Sequence, residues 1–505
     1  MSSVALQGEN MPKYCSTRNK NVSLSSSQAI LRGLSDDGGL FTPTSLTPFL
    51  HLDSLVNASY QEIAQAVLDA FLTDYSSEQI QDCINKAYDN KFDTKDIVPL
   101  HKINEGYLAE LWHGPTSAFK DVALTILPHL LTTAYKKENS SNLIYILTAT
   151  SGDTGKAALS GFKNVPHTAI TVFYPEIGAS EIQKIQMQTS LGDNVQVVAV
   201  KGNFDDCQRL VKEAYSNPQV INASDKVSLS SANSINIGRL IPQVVYYVTT
   251  YLQLVNNKVI NINDPINFVV PTGNFGNILA GYLAKRSGLP INKLICASNT
   301  NNVLTDFINT GTYQTNRNFT PTMSPSMDIL VSSNLERLLF LLSGNNDQLI
   351  KQCMDSLKQN GIYTIPQHLI ETIQTIFKAY WCDEKHCQQT IRNLYDKQGY
   401  LIDTHTAVAL NALHEYQNET NDTTVSIVLS TASPYKFSKD VYRCLTDITI
   451  NDDFEAMAKL QQLTKMPVPN NLANLKDLPI RFNESININD GISVILKRIE
   501  ELNHD

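Results

Sequence analysis

From about residue 98 the chain takes on a single texture, and that texture narrows its fold more than any other feature. Short runs rich in Ile, Val and Leu alternate with longer helical segments. The runs are 143–149, 169–174, 195–200, 266–270, 294–297 and 425–429; helical stretches such as 180–191, 204–216 and 237–255 lie between them. Short unbroken apolar runs read as strands buried on both faces, and the helices between them as crossovers. The pattern predicts an α/β protein built on mainly parallel sheets. Ligands of such sheets sit beyond the carboxyl ends of the strands. The polar, glycine-containing loops of this chain fall at those ends.

The flanks read differently. Residues 1–97 form a first block, mostly helical by pattern, with a three- and four-residue apolar step from Tyr60 to Asp89 and a turn at Asp36-Asp-Gly-Gly39. Residues 335–400 are polar and helical and read as an insertion on the α/β body. The tail after about 450 is helical with loops, and Pro467-Val-Pro469 reads as a connector. A chain of 505 residues exceeds what one core supports. The expected division is 1–97 as an N-terminal block, 98–260 as a small α/β domain and 261–505 as a large α/β domain that includes the insertion.

A net charge of −9, with 42% apolar and 18% charged residues, disfavours nucleic acid or an anionic membrane as the main partner. No stretch approaches the ~20 apolar residues of a membrane span, and the polar segment Met1 to Tyr14 lacks an apolar signal core. The expected location is cytoplasmic. The eight cysteines are scattered, several inside apolar runs, which suits reduced buried thiols. Cys382 and Cys387, with His386 between them, lack a second ligand pair at zinc-like spacing, so no metal site is expected.

Five segments could carry chemistry. The first is His113-Gly-Pro-Thr-Ser-Ala-Phe-Lys-Asp121, which places Lys120 in the first turn of a helix predicted from Ser117 or Ala118 through Tyr135, kinked at Pro128. The positive helix end and an apolar setting both disfavour an ammonium there, and a neutral amine can condense with a carbonyl. The second, Thr148-Ala-Thr-Ser-Gly-Asp-Thr-Gly-Lys156, offers hydroxyls and backbone N–H groups to an anion at a helix start. It is not a nucleotide-triphosphate loop, because Thr150 stands where a glycine is required and Ala157 where a Ser or Thr would hold magnesium. In the third, Val270-Pro-Thr-Gly-Asn-Phe-Gly-Asn277, Gly273 and Gly276 let successive N–H groups face one phosphate. The fourth, Ser230-Ser-Ala-Asn-Ser-Ile-Asn-Ile-Gly-Arg239, brings Arg239, a good phosphate partner, one turn after Asn236. The fifth, Leu429-Ser-Thr-Ala-Ser-Pro-Tyr-Lys-Phe437, puts the Thr431 hydroxyl at a strand end. Taken singly, each is also what an ordinary capped helix or polar turn looks like.

In order along the chain, these segments resemble the threonine synthase family of pyridoxal-phosphate fold type II. Tyr14-Cys-Ser-Thr-Arg18, Gly33-Leu-Ser-Asp-Asp-Gly-Gly-Leu-Phe41, Ser324-Pro-Ser-Met-Asp-Ile329 and Ser333-Asn-Leu-Glu-Arg-Leu-Leu-Phe340 are similar to further family signatures. The resemblance implies a tryptophan synthase β-like fold with two parallel-sheet-rich domains. It implies pyridoxal 5'-phosphate carried on Lys120, with its phosphate held by Gly273, Asn274, Phe275, Gly276 and Asn277. Thr431 would face the ring nitrogen, and Asp153 the phenolic oxygen. Ser151, Gly152, Asp153 and Thr154 would bind the substrate carboxylate; Ser234, Asn236 and Arg239 would bind its phosphate. The implied reaction turns O-phospho-L-homoserine and water into L-threonine and phosphate, the last step of threonine biosynthesis. The implied partner is a small phosphorylated amino acid, with no nucleic acid and no membrane, acting on a monomer or homodimer.

The chain departs from the family pattern at Ser433, where His is usual, at Tyr435 and Thr404, at Asn277, where an acidic residue is common, and at Lys156, an added cation. Two alternatives stay open on sequence alone. One is a threonine-synthase-like phospho-lyase that releases 2-oxobutyrate without adding water. The other is a non-catalytic protein that binds the cofactor or a phosphorylated metabolite.

Overall fold

The computed structural model describes residues 13–150, 152–176 and 179–504. All six strands expected from the apolar runs are present, in two sheets. The first has five parallel strands in the order Ser485–Asn487, Val195–Lys201, Thr168–Pro175, Leu143–Ala149, Val227–Ser230. The second has six in the order Phe377–Trp381, Ile291–Ser298, Ile266–Pro271, Ser426–Ser430, Gly106–Glu110, Leu100–Ile103, all parallel except the last pair. Thr168–Pro175, Ile266–Pro271 and Ser426–Ser430 are buried along their whole length. Helices on both faces account for this, and it is why the runs carry no polar alternation.

The two sheets do not follow the linear division of the chain. Leu100–Ile103 and Gly106–Glu110 pair into the second sheet beside Ser426–Ser430, although the sequence reading grouped them with residues 98–260. In the reverse sense, Ser485–Asn487 crosses back to the first sheet. The segment 335–400 is not wholly helical, since Phe377–Trp381 forms an edge strand of the second sheet. Its polar and exposed side chains hid it, because an edge strand buries only part of its surface.

The N-terminal block also holds more than helices. Tyr14–Ser16, Asn19–Leu24 and Phe41–Pro43 make an antiparallel sheet. Its helices Ser26–Arg32, Tyr60–Phe71 and Ser77–Ala87 each start at a serine capping box, in which a glutamine or glutamate three residues on returns the hydrogen bond. Buried Arg337 ties this block to the body by donating to Phe41 O at 2.9 Å. Arg18 pairs with Glu336 at 2.7 Å.

The predicted helix through Lys120 is two helices, Lys120–Leu124 and Leu127–Lys137. Pro128 sits in the first turn of the second, where its missing N–H costs nothing, so it starts a helix rather than kinking one. The break lets another helix come close: a Cβ on Gly161 would overlap the Leu124 carbonyl. Likewise 237–255 divides at Pro242 into Ile237–Leu240 and Gln243–Asn256. No helix among the described residues is long and apolar enough to cross a membrane.

Candidate active site

Lys120 is placed by a stitch between two loops. Phe119 N–H donates to Thr431 O at 2.8 Å, Ser433 N–H donates to Ser117 O at 3.1 Å, and Ala118 bridges Ala432. The chain turns there through Ser117 in the left-handed region, at φ 58°. These contacts hold the start of helix Lys120–Leu124 against the carboxyl end of strand Ser426–Ser430. The Lys120 side chain is 11% exposed. Burial pushes its amine down to about 8; Asp153 opposes the shift, and Arg239 and Lys436 add to it. The cause is desolvation first.

Lys120 lines a cavity of about 100 Å³ together with Thr154, Ser234, Arg239, Gly273, Asn274, Phe275, Gly276, Asn277, Ser326, His405 and Thr431. Ala149, Asn233, Ser234 and Asn274 also line a larger cleft of about 1170 Å³, which adjoins the cavity. Seven segments spread along the chain from Lys120 to Thr431 therefore meet at one place.

The wall made by 273–277 is a cradle. Phe275, at φ 61°, immediately precedes helix Gly276–Arg286, and no side chain caps that helix start. Its first N–H groups are left for a ligand. Gly273 has no room for a side chain: a Cβ would lie 2.8 Å from Ser326 O. Asn277 is buried, its Oδ1 accepting from Tyr246 OH at 2.5 Å and Tyr247 OH at 3.1 Å. Its Nδ2 has no protein partner, an unspent donor in the first turn of that helix. A phosphate satisfies such a set of donors. With a reactive amine in the same cavity, the residues suit a phosphorylated aldehyde.

Arg239 enters from helix Ile237–Leu240. Its Nη1 donates to Ala232 O at 2.6 Å, and Nη2 lies 3.4 Å from Thr154 Oγ1. Burial lowers it to about 10, which leaves it a cation at neutral pH. Ser234 Oγ accepts from Asn334 Nδ2 at 3.0 Å. Arg239, Thr154 and Ser234 thus form a second polar group beside the cradle.

Asn236 does not join them. Its Oδ1 caps the helix through Gly238 N–H at 2.9 Å, and its Nδ2 donates to Ile30 O and Ser231 O, each at 3.0 Å. It is a structural cap with every group engaged. Asp153 lies 3.9 Å from Lys120 Nζ, but its Oδ1 is bound by Lys436 at 2.7 Å and by Gln183 Nε2 at 2.8 Å. The Asp153 carboxylate is thus spent on Lys436 and Gln183, and Asp153 does not line the cavity. Gly152 starts helix Asp153–Phe162 at φ 152° and spends its N–H on Thr150 Oγ1 at 2.9 Å. Ser151 lies outside the described residues.

Two departures from the family pattern do not line the cavity. Lys156 Nζ donates to Ser190 Oγ at 3.1 Å and does not line it. Ser433 caps the turn Pro434–Phe437 by accepting from Tyr435 N–H at 3.4 Å.

Sequence reasoning missed three residues. Lys436, fully buried, also donates to Thr116 O at 2.9 Å. His405 lines the cavity; its Nδ1 lies 2.9 Å from Asp403 Oδ2, and its Nε2 accepts from Ser326 N–H at 3.1 Å. Arg337 donates to Ser234 O at 3.1 Å and to Ile235 O at 2.5 Å, fixing the loop that leads to Arg239. A lysine or arginine reads as surface, and the only available signal was their place inside the quoted motifs.

The fold and cavity define the class first: residues 97–431 match the family described as Pyridoxal-phosphate dependent enzyme. The two ends are more particular, with residues 13–88 matching Threonine synthase N terminus and residues 406–490 matching Threonine synthase, C-terminal. The chain is 34% identical over 485 residues to threonine synthase of Saccharomyces cerevisiae, covering 90% of this chain and 93% of that one. The crystal structure of pyridoxal-phosphate-bound threonine synthase from Brucella melitensis superposes with a TM-score of 0.85 at 34% identity, covering 97% of this chain and 99% of that one. Threonine synthase-like 1 of Homo sapiens is 40% identical over 441 residues, covering 84% of this chain, which spans only 58% of that protein's length. The chain belongs to the threonine synthase family.

Proposed function

We propose that this protein is a threonine synthase that uses pyridoxal 5'-phosphate to convert O-phospho-L-homoserine and water into L-threonine and phosphate. One observation carries the reading. The buried amine of Lys120 shares a single cavity with the uncapped helix start at 273–277 and with the cation Arg239. Two phosphates and one carbonyl then have separate places.

The cofactor, when bound, supplies an electron sink for carbanions beside the reacting amine. The 273–277 N–H groups and Asn277 Nδ2 would hold its phosphate, Lys120 its carbonyl carbon, and Thr431 its ring nitrogen. Arg239, Ser234 and Thr154 would hold the substrate phosphate. The Lys120 amine would be the base that takes the Cα proton, and burial, by lowering it to about 8, raises the share of the neutral form available near neutral pH. It would then carry protons among the substrate carbons, the transfers that loss of phosphate from Cγ and addition of water at Cβ require. His405, held by Asp403 and Ser326, lines the same cavity. Gly152, Asp153 and Ser151 were expected to hold the substrate carboxylate; of that loop, Thr154 is the member whose side chain lines the cavity.

A second reading rests on the same constellation of Lys120, the 273–277 cradle and Arg239. The same groups serve a phospho-lyase that ends at 2-oxobutyrate. The test incubates purified protein with pyridoxal phosphate and O-phosphohomoserine and quantifies threonine, 2-oxobutyrate and phosphate together. Threonine in step with phosphate supports the first reading; 2-oxobutyrate without threonine replaces it with the second; no phosphate release refutes both. The reading takes the protein as cytoplasmic and as a monomer or homodimer, which light scattering of the purified holoenzyme checks.

A further inference from the structure

Lys436 is a charged side chain with no exposure at all. Burying an ammonium costs several kcal/mol unless it is paired, and this one is paired inside the site rather than outside it. Its Nζ lies 2.7 Å from Asp153 Oδ1 and 2.9 Å from Thr116 O. Gln183 Nε2 occupies the same Oδ1 at 2.8 Å. Lys120 Nζ, by contrast, stands 3.9 Å from Asp153 Oδ2, beyond hydrogen-bond range. Two lysines therefore face one carboxylate, and the one that does not line the cavity holds the hydrogen bond.

The other charges around Lys120 fit the same picture. Asp121, next to it in its own helix, is held by Thr116 N–H at 2.8 Å and Thr116 Oγ1 at 2.6 Å. Arg239 faces Lys120 from helix Ile237–Leu240 as a second cation. The His405–Asp403 pair, at 2.9 Å, lies at the start of helix Thr404–Thr420, with His405 lining the cavity. Lys156 stands behind Lys436 and bonds to Ser190. Both acidic groups close to Lys120 are thus engaged by partners of their own.

We propose that Lys436 is a positioning residue that draws the Asp153 carboxylate off Lys120 and so leaves the Lys120 amine free to act as nucleophile and base. This rests on the proposed function and extends it to a residue that touches neither cofactor nor substrate. With Lys436 neutral, Asp153 has Lys120 as its nearest cation. The ion pair forms, and the proton stays on Lys120. The loss of a neighbouring cation acts in the same direction.

The experiment uses the full-length protein freed of cofactor, so that it reads Lys120 and not turnover. Lys120 is acetylated with trace acetic anhydride across a pH series, and its labelling is read by peptide mass spectrometry. Lys436→Gln and Lys436→Met are each expected to raise the labelling midpoint by about one pH unit, a roughly tenfold loss of reactive amine at pH 7. Lys436→Arg, which keeps the charge, is expected to leave the midpoint in place. The double variant Lys436→Gln/Asp153→Asn is expected to bring it back. An unchanged midpoint in whichever neutral variant folds overturns the proposal, as does failure of the double variant to reverse the shift. If the protein made no threonine while these shifts held, the proposed function would fail and the role of Lys436 would stand.

Discussion

Replacing Arg239 with Met separates the two phosphate sites. The substitution keeps most of the side-chain length and removes the charge. Arg239 is buried, anchored through Nη1 to Ala232 O at 2.6 Å, with Nη2 directed at Thr154 in the cavity wall. A hydrogen bond to a charged group contributes about 1.5–3 kcal/mol, so loss of one phosphate contact corresponds to about 10- to 150-fold in KM for O-phosphohomoserine. The cradle at 273–277 has its own donors, so the dissociation constant for pyridoxal phosphate should move less than about threefold. A second signature follows from the charge. Arg239 helps to hold the Lys120 amine down, so its removal shifts the acid limb of the rate profile to higher pH. Steady-state phosphate release gives KM, and absorbance titration of the cofactor-free protein gives cofactor affinity. Equal loss of both affinities, or of neither, would refute the assignment of separate sites.

Lys120→Met abolishes covalent attachment of the cofactor and threonine formation, read by absorbance and product assay; turnover within tenfold of wild type would remove the central assignment. The same substitution stabilises the cofactor-free protein. Unfolding lets Lys120 take up a proton between about 8, its folded value, and 10.5, so its stability penalty is full below pH 8 and disappears as pH rises through that window. At pH 7 the gain is about 3 kcal/mol at most, seen as a higher urea midpoint that converges on wild type above pH 10. Gly273→Ala brings a methyl to 2.8 Å from Ser326 O, displaces the cradle and weakens cofactor binding by about 1–3 kcal/mol; unchanged affinity would show that the loop has room to spare. Tyr246→Phe removes the shorter bond to Asn277 Oδ1 and costs about 1 kcal/mol, measured as a several-fold rise in the cofactor dissociation constant with KM for substrate unchanged.

Much of the fold was legible because a strand buried on both faces has little choice of residue. Leu143–Ala149 and Ile266–Pro271 carry a mainly apolar run with no period-two alternation. Short or edge strands do not. Ser485–Asn487 is three residues long with only Ile486 buried, and Phe377–Trp381 is partly exposed. The site was legible where backbone geometry demands a residue type, as in the cradle around Gly273. It was less so where one residue type serves two purposes. Asn236 was read as a ligand because an amide before a helix suits an anion equally well, and the structure spends it on the cap. Lys436 went unassigned for the opposite reason: nothing local in Pro434–Phe437 signals that its lysine is inside. That follows from Asp153 and Thr116, which tertiary folding alone brings to it.

The strand Ser485–Asn487 has a consequence for how the protein is made. It is the neighbour of Val195–Lys201 at the rim of the first sheet, and Arg481 just before it donates to Ser190 O at 2.8 Å. A ribosome delivers those residues long after the other four strands. Until then the nascent sheet shows an open row of amide and carbonyl groups to every other chain nearby, an invitation to mispair. Shortening the polypeptide ahead of residue 485 would make that interval permanent, and insoluble material is the expected product even though every group around Lys120 is still encoded.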